Sequence, residues 1–220
     1  MMQSSEARKR IEDIGIIPCA RVKVPDYARF AAETLYEAGI PVLEVPLTVP
    51  HACEVIHDVA ERHPDFIVGA GTVLAEDDAR KCIDAGARFI TSPALVIEVV
   101  SYARRADVVV FPGALTPSEV VTAWKAGADF VKIFPAATAG GPAYVRALKV
   151  PLPEIPIIVT GGVNQLTAFD YILAGALAIG VGSELLPKEA LAQRQKDQIH
   201  ELARRFLIMV KEARAQRDGA

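Results

Sequence analysis

Four similar stretches restrict the fold of this chain more than any other feature of its sequence. They read EAGIPVLEV, DAGARFITS, KAGADFVKIF and LAGALAIGVG, and each completes a segment with helical character. A glycine directly after a helix supplies the left-handed turn that ends it. The short apolar run that follows has the length of a strand buried on both faces. The repeated unit is therefore a helix followed by a buried parallel strand.

The same pattern predicts eight strands along the chain. Three more apolar runs, FIVGAG, DVVVFPG and IPIIVTGG, fit between the repeats, and IIPCARV precedes the first helix of the series. The predicted strands cover residues 16–21, 40–45, 66–71, 88–92, 107–111, 128–134, 155–160 and 177–182. Eight strands that alternate with amphipathic helices are typical of a (β/α)8 TIM barrel. A doubly wound open sheet is the main alternative, but the first strand lacks a G-x-G-x-x-G turn and eight equal units favour closure.

The length and composition are those of one domain. The chain has 220 residues, of which 51% are hydrophobic, and this is enough for one large core. The sequence contains no Ser/Gly-rich linker and no shift in composition that would mark a boundary. We therefore predict a single barrel domain over residues 1–220, with an N-terminal helix and a C-terminal amphipathic helix.

Charge, hydropathy and cysteine content argue against several classes of protein. The net charge is −3 and no basic cluster is present, so no nucleic-acid partner is expected. No run of about eighteen apolar residues predicts a membrane span, and the N-terminus lacks the apolar core of a signal peptide. Cys19, Cys53 and Cys82 are widely spaced, which indicates free thiols and predicts a cytoplasmic location. We expect Cys19 and Cys82 to be small core residues.

No metal or other cofactor is predicted. The sequence contains neither an H-x-x-x-H nor a C-x-x-C motif, and His51, His57 and His63 are six residues apart, which does not align them on one helix face. The expected ligand is a small molecule.

The most unusual polar residue is a lysine within an apolar strand. In GADFVKIFPA, strand alternation places Phe130, Lys132 and Phe134 on one face. If Lys132 points into the barrel, it loses water, and the neutral amine that this favours is a nucleophile for ketones. From position alone, a structural lysine paired with a buried carboxylate, or one that faces outward, is an equally good interpretation.

Other polar residues are predicted near the C-terminal ends of strands, where the active groups of barrels lie. Glu44, in VLEVPLT, could transfer protons or could be a structural partner of Lys132 or Arg21. Arg21 could bind a substrate carboxylate, or it could be a surface residue just after a strand. Thr72 follows GAG, where glycines allow a ligand to approach the backbone, and its hydroxyl could also hold a carboxylate.

Two glycine-containing loops indicate a phosphate site. Gly161 and Gly162 follow the seventh predicted strand, and Gly182 and Ser183 end the eighth. Phosphate sites in barrels often use the loops after these two strands. One Gly-Gly pair is usually only a turn, but two such loops at these strands favour a phosphate ligand.

The order of the motifs resembles a known family. VLEVPLT, IVGAGTVL, FITSP, FPGALTPSE, VKIFPA, VTGGV and GVGSELL resemble the 2-keto-3-deoxy-6-phosphogluconate / 4-hydroxy-2-oxoglutarate aldolases between about Ile14 and Leu186. These are class I lyases of carbohydrate metabolism on a (β/α)8 barrel. The resemblance implies that Lys132 forms the Schiff base, that Glu44 shuttles protons and that Thr72 contacts substrate.

The resemblance also implies a pocket and a phosphate site, and it shows one departure. Some members have a carboxylate-binding arginine where this chain has Thr48, whereas others, including phosphogalactonate-type aldolases, have one at the position of Arg21. A relocated guanidinium is therefore expected. The family commonly forms trimers, so a homotrimer is expected. The remaining implied residues are Pro93, Phe134 and Thr160 in the pocket and Gly161, Gly162 and Ser183 at the phosphate.

Together, the residues and the resemblance predict a class I aldolase. It would cleave a 2-keto-4-hydroxy acid, such as 2-keto-3-deoxy-6-phosphogluconate, to pyruvate and an aldehyde. The alternatives are a phosphogalactonate-type or 4-hydroxy-2-oxoglutarate aldolase, a non-aldolase phosphate-binding barrel, and an oligomeric binding or structural protein without catalysis. The sequence leaves open which acid is cleaved, whether it is phosphorylated, and the stereochemistry at C4.

Overall fold

Short parallel strands alternate with helices along the chain. The computed structural model describes residues 2–219. The strands are β1 (Ile16–Pro18), β2 (Val42–Pro46), β3 (Ile67–Gly71), β4 (Phe89–Thr91), β5 (Val109–Phe111), β6 (Gly113–Ala114), β7 (Val131–Ile133), β8 (Ile157–Thr160) and β9 (Ala178–Val181). The helices are α1 (Ser4–Ile14), α2 (Pro25–Glu37), α3 (Ala52–Arg62), α4 (Glu76–Asp84), α5 (Ile97–Arg105), α6 (Pro117–Lys125), α7 (Gly141–Lys149), α8 (Ala168–Leu173), α9 (Lys188–Ala192) and α10 (Lys196–Asp218).

The strand order is that of a (β/α)8 barrel, which confirms the predicted fold class. One sheet has the order β1-β9-β8-β7-β6 and the other β2-β3-β4-β5, with every pairing parallel. β5 pairs with β4, and β6, a short strand beyond Pro112 that was not among the eight predicted, pairs with β7. Between β1 and β2 the described residues form only one bridge, Cys19 to Glu44. Hydrogen bonds therefore do not close the barrel with a continuous ladder.

The prediction that the first strand reaches residue 21 was wrong. β1 ends at Pro18, and the chain then makes two tight turns, in which the N–H of Arg21 donates to the Cys19 carbonyl and that of Val22 to the Ala20 carbonyl. These turns take the backbone out of the ladder, so Arg21 lies three residues beyond the strand and is exposed.

Two apolar layers stabilise the barrel. Side chains that alternate inward along the strands fill the interior, and those that point outward pack beneath the helices. Helix α1 lies at the N-terminal end of the barrel, where its Ala7 and Ile11 join the interior layer. The interior layer also contains Ile17, Val42, Ile67, Phe89, Val109, Phe111, Phe130, Ile158 and Ala178.

Local sequence explains where two of the helices, α6 and α2, begin. Helix α6 begins with a capping box, in which the Thr116 hydroxyl accepts from the Glu119 N–H while the Glu119 carboxylate accepts from the Thr116 N–H. Pro25 occupies the first turn of α2, where its missing N–H costs no hydrogen bond. Within residues 2–219, none of these helices is both long and apolar enough to cross a membrane.

Candidate active site

Lys132 points into the barrel, a direction that the sequence alone left open. It is the central residue of β7, between Gly113 on β6 and Ile158 on β8. Phe130, two residues earlier, belongs to the interior layer, and residues two apart on a strand share a face. Only 5% of the Lys132 surface is exposed. The interpretation of Lys132 as an outward-facing surface lysine was therefore wrong.

Glu44 reaches the same interior space from β2. It follows Val42 on the inward face and exposes 4% of its surface. Gly71, at the end of β3, leaves the space that the carboxyl group occupies, because a Cβ atom there would overlap Glu44. The absence of a side chain at Gly71 thus determines where this carboxylate can lie.

Lys132 and Glu44 face each other across the interior. The distance from Lys132 Nζ to Glu44 Oε2 is 3.9 Å. This exceeds the length of a charge-assisted hydrogen bond, about 2.7–2.9 Å. The aromatic ring of Phe134 also lies near the amine, with its centroid 5.5 Å from Lys132 Nζ. A buried amine, a carboxyl group and an aromatic face are therefore brought together at one point.

Cys19 is the residue that the sequence interpretation placed wrongly. It was expected in the core, but it is only half-buried and lines the cavity, with its Sγ 3.5 Å from Glu44 Oε1. Burial, followed by the nearby Glu44 carboxylate, raises the pKa of the Cys19 thiol well above its usual value, although Arg21 and Lys132 act in the opposite direction. Cys19 lies near the C-terminal end of the first predicted strand, and that position was the signal that could have found it.

The Lys132 amine, the Glu44 carboxyl group and the Phe134 ring line a large cavity at the C-terminal end of the barrel. Its volume is about 1090 Å³, and its wall continues from the strand ends to helix α9. Residues that sequence reasoning did not select, such as Asn164, Glu184 and Lys188, also line it. The predicted residues in the lining are Arg21, Glu44, Thr48, Lys132, Phe134, Thr160, Gly161, Gly162, Gly182 and Ser183.

Two of the predicted residues, Thr72 and Pro93, follow strand ends but do not line the cavity. Thr72 directly follows β3 and is half-buried, with a positive φ of 61°. Pro93 follows β4 by two residues, and its carbonyl lies against Gly113, where a Cβ atom would overlap it. The cavity thus includes Glu44 and Lys132 but not the loops that directly follow β3 and β4.

The two glycine-containing loops lie side by side, as predicted. Gly161 and Gly162 have φ angles of 87° and 83°, in the left-handed region where glycine is favoured. The N–H groups of Ala136 and Ala137 donate to the carbonyls of Thr160 and Gly161, which ties this loop to the segment after β7.

After β9, the chain makes one helical turn. In this turn the N–H groups of Leu185 and Leu186 donate to the Gly182 carbonyl. The start of such a turn directs backbone N–H groups outward, an arrangement suited to an anion. Within residues 2–219, no group of three or more His, Cys, Asp or Glu side chains is placed to hold a metal ion.

The comparison with known proteins agrees with this geometry. Residues 7–202 match the model of the KDPG and KHG aldolase family. The chain belongs to this family. Its members are class I Schiff-base aldolases, and the chain is accordingly a lyase.

Individual relatives support the assignment. The KHG/KDPG aldolase of Escherichia coli K12 is 35% identical over 190 residues, covering 86% of this chain and 89% of that protein. A Legionella pneumophila KDPG aldolase, with pyruvate captured as a covalent carbinolamine, is 31% identical with a TM-score of 0.83, covering 90% of this chain and 96% of that one. A native KDPGal structure is 32% identical with a TM-score of 0.82, covering 90% and 95%.

Proposed function

We propose that this aldolase cleaves a 2-keto-4-hydroxy acid to pyruvate and an aldehyde, with Lys132 as the nucleophile and Glu44 as the proton-transfer group. The observation that carries the proposal is the buried pair itself, with Lys132 Nζ 3.9 Å from Glu44 Oε2 at the base of the cavity. Captured pyruvate in the Legionella relative supports a covalent route through a keto acid.

The reaction begins when the neutral Lys132 amine attacks the C2 ketone and water leaves to form an iminium ion. The iminium accepts the electron pair of the C3–C4 bond, so that bond breaks as Glu44 removes the C4 hydroxyl proton, directly or through one water. The C4 fragment leaves as an aldehyde. Glu44 then returns a proton to C3 of the enamine, and hydrolysis releases pyruvate and the free lysine.

The surroundings of Lys132 favour the cationic intermediate. The Phe134 ring centroid is 5.5 Å from Nζ, within the range of a cation–π interaction. The Glu44 carboxylate, with Oε2 3.9 Å from Nζ, supplies a negative charge. General acid–base assistance is worth about 10²–10⁴-fold, so the covalent electron sink must supply the larger share of the acceleration.

Different residues at the cavity are proposed to bind the two ends of the substrate. Arg21, in the lining, is proposed to bind the keto-acid carboxylate, with Thr72, which directly follows β3 outside the lining, as a further proposed contact. A terminal phosphate on the aldehyde half would bind the loops at Gly161–Gly162 and Gly182–Ser183. This arrangement favours 2-keto-3-deoxy-6-phosphogluconate or a close relative as substrate.

Borohydride trapping tests the nucleophile. Sodium borohydride with pyruvate is expected to add mass to Lys132, and the K132M variant is expected to remain unmodified. An unmodified Lys132 in the folded wild-type protein would remove the Schiff-base proposal and would favour the non-aldolase phosphate-binding barrel. E44Q is expected to keep adduct formation but to lose turnover by about 10²–10⁴-fold. Wild-type turnover in E44Q would assign proton transfer to another group.

A pyruvate-release assay tests the substrate. The phosphogluconate-derived acid, its galactonate epimer and 4-hydroxy-2-oxoglutarate are compared under one set of conditions. The proposal expects the highest kcat/KM for a phosphorylated acid. A preference for 4-hydroxy-2-oxoglutarate would mean that the glycine loops do not select phosphate, and it would favour the 4-hydroxy-2-oxoglutarate aldolase alternative.

We also propose that the protein is a homotrimer. Leu74, Ile97 and Leu115 are exposed by 53%, 44% and 39%, in the segments that follow β3, β4 and β6. Exposed apolar patches of this kind often mark contacts between chains. Sedimentation should give three times the chain mass of 23.6 kDa, and I97E should reduce it. A monomeric wild-type protein would overturn the proposal.

A cytoplasmic location is proposed on the state of the cysteines. Cys19, Cys53 and Cys82 are free in the part of the chain that the structure describes, although Cys53 and Cys82 place their sulfur atoms 3.9 Å apart. Free thiols persist in reducing compartments. Cell fractionation should place the protein with the cytoplasmic fraction, and recovery outside the cell would contradict this.

A further inference from the structure

The two oxygen atoms of the Glu44 carboxylate have different neighbours. Oε2 faces Lys132, with Nζ at 3.9 Å, whereas Oε1 lies 3.5 Å from Cys19 Sγ. Oε1 is also the atom that a Cβ at Gly71 would overlap most closely. One oxygen therefore lies between the Cys19 thiol and the Gly71 backbone, and the other faces the amine and the cavity.

The position of Cys19 is fixed by backbone hydrogen bonds on both sides. Its own N–H donates to the Val181 carbonyl on β9 at 2.8 Å. The next N–H, that of Ala20, donates to the Glu44 carbonyl on β2 at 2.9 Å. Cys19 thus occupies the one bridge that links β1 to β2 in the described residues, so its side chain and that of Glu44 share a rigid support.

The Cys19 thiol is protonated, so it can donate a hydrogen bond. Burial and the Glu44 carboxylate both raise the pKa of Cys19 well above its usual value, so the S–H remains intact near neutral pH. A carboxylate accepts hydrogen bonds only, so the S–H donates to Oε1. The same state makes Cys19 a poor nucleophile, which argues against a covalent role for it.

We propose that Cys19 is a positioning residue, whose S–H holds Glu44 Oε1 so that Oε2 exchanges the proton with substrate. This inference rests on the proposed function, because it assigns a role to Cys19 only through Glu44. Without the S–H donor, the carboxyl group can rotate, and the fraction of time that Oε2 faces the reacting atoms falls. The loss should appear in the chemical step rather than in substrate binding.

The test replaces the donor and then restores it. C19V removes the S–H, and C19S keeps a hydroxyl donor on the same Cβ atom. A net hydrogen bond is worth about 0.5–1.5 kcal/mol, so kcat should fall roughly two- to tenfold in C19V with little change in KM. C19S should recover most of the wild-type kcat. C53V, which makes the same change on helix α3 outside the cavity, is the matched control and should keep wild-type kinetics.

The pH profile gives a readout that a packing defect would not move. A hydrogen bond to a carboxylate favours its charged form, so the acidic limb of the kcat profile should move to higher pH in C19V and back in C19S. The ionisable groups around Glu44 are Lys132 on β7 and Cys19, with Arg21 acting on Cys19 from the same segment. All but Cys19 are unchanged in these variants.

Borohydride trapping separates failure of this inference from failure of the proposed function. C19V should still form the pyruvate adduct on Lys132, because the nucleophile is intact. No adduct in the wild-type protein defeats the aldolase mechanism itself. A normal adduct together with wild-type kcat and pH profile in C19V defeats only the role of Cys19, and so does a C19S variant as slow as C19V. If C19V does not fold, C19A carries the same test.

Discussion

The position of the Glu44 carboxylate depends on the absence of a side chain at Gly71 as well as on the groups that contact it. Gly71 has no side chain, and a Cβ atom there would overlap the Glu44 carboxyl group. Gly69, two residues earlier on the same face, gives space in the same way to the ring of Phe89. Small residues at the end of β3 therefore let the Phe89 ring and the Glu44 carboxylate share the interior of a narrow barrel.

This leads to a prediction for G71A. The new methyl group should displace the Glu44 carboxylate, so turnover should fall by about 10²-fold or more, in line with the loss of a general acid–base group. Lys132 is untouched, so the borohydride adduct with pyruvate should still form. The measurement is kcat for pyruvate release together with the mass of the trapped protein.

A control separates displacement of Glu44 from a general loss of stability. Gly127 has a φ of 96°, so G127A is strained, but a Cβ there meets its nearest atom, in the Arg104 side chain, at 3.8 Å, away from the cavity. G127A should lose stability and keep its turnover. If G71A turned over at the wild-type rate, Glu44 would have an alternative position and the close fit at Gly71 would be unimportant.

At the scale of single residues, the sequence could predict the groups that conflict with their surroundings. Lys132 and Glu44 are charged residues within apolar strands, and that conflict is visible in the letters alone. Cys19 causes no such conflict, because a free cysteine is a usual core residue. Its contact with Glu44 depends on the register between β1 and β2, which the sequence does not state.

At the scale of elements, the Ala-Gly repeats together with the four other apolar runs were sufficient to place most strands. The misplaced boundaries have local causes. Pro112, which has no N–H group, follows β5, and the short strand β6 beyond it was not predicted. Residues 19–22 form consecutive tight turns, which end β1 at Pro18 although the apolar pattern continues. Hydrophobic pattern predicts the existence of a strand, but hydrogen-bond geometry determines where it ends.

The capping box of α6 predicts a pH dependence of stability. Hydrogen bonds from the backbone N–H groups of Thr116 and Leu115 lower the pKa of Glu119 below its ordinary value. A group with a lowered pKa in the folded state stabilises the fold above its unfolded pKa, about 4.3 for Glu, and loses that contribution as pH falls through the folded value. E119Q should therefore lower the free energy of unfolding at pH 7 and have no effect at strongly acidic pH.

Urea denaturation at a series of pH values checks this. The difference between the wild-type protein and E119Q should be constant above about pH 5 and disappear in acid. E98Q, in the first turn of α5, removes a comparable charge at a helix without a side-chain cap and is the matched control. An E98Q effect of equal size would attribute the change to the helix dipole rather than to the capping box.

At the scale of the whole molecule, the two ends of the barrel differ in structure and in expected role. The C-terminal end carries the cavity and the polar groups, whereas helix α1 covers the N-terminal end with Ala7 and Ile11. Barrels generally place catalysis at the first end and stability at the second. Predicting an N-terminal helix was possible from sequence, but its role as the cover of the barrel required the three-dimensional arrangement.

This division predicts that I11A is destabilised but catalytically normal. Ile11 is fully buried in the interior layer, so removing its side chain leaves a cavity and should lower the free energy of unfolding by about 2–5 kcal/mol. The site lies at the other end of the strands, so kcat and borohydride trapping should be unchanged below the transition. Urea denaturation and pyruvate release measure the two effects on the same sample.

The matched control is I208A, the same change at a side chain on α10 that is 39% exposed, where the loss should stay within about 0.5 kcal/mol. A loss of kcat in folded I11A would show that the two ends of the barrel are coupled through its interior layer. The contact between Phe111 and Phe130, whose ring centroids are 6.1 Å apart, would then connect the covered end to the strand that carries Lys132. An unchanged kcat with a large loss of stability is the expected result, because Ile11 belongs to the interior layer at the covered end and does not line the cavity.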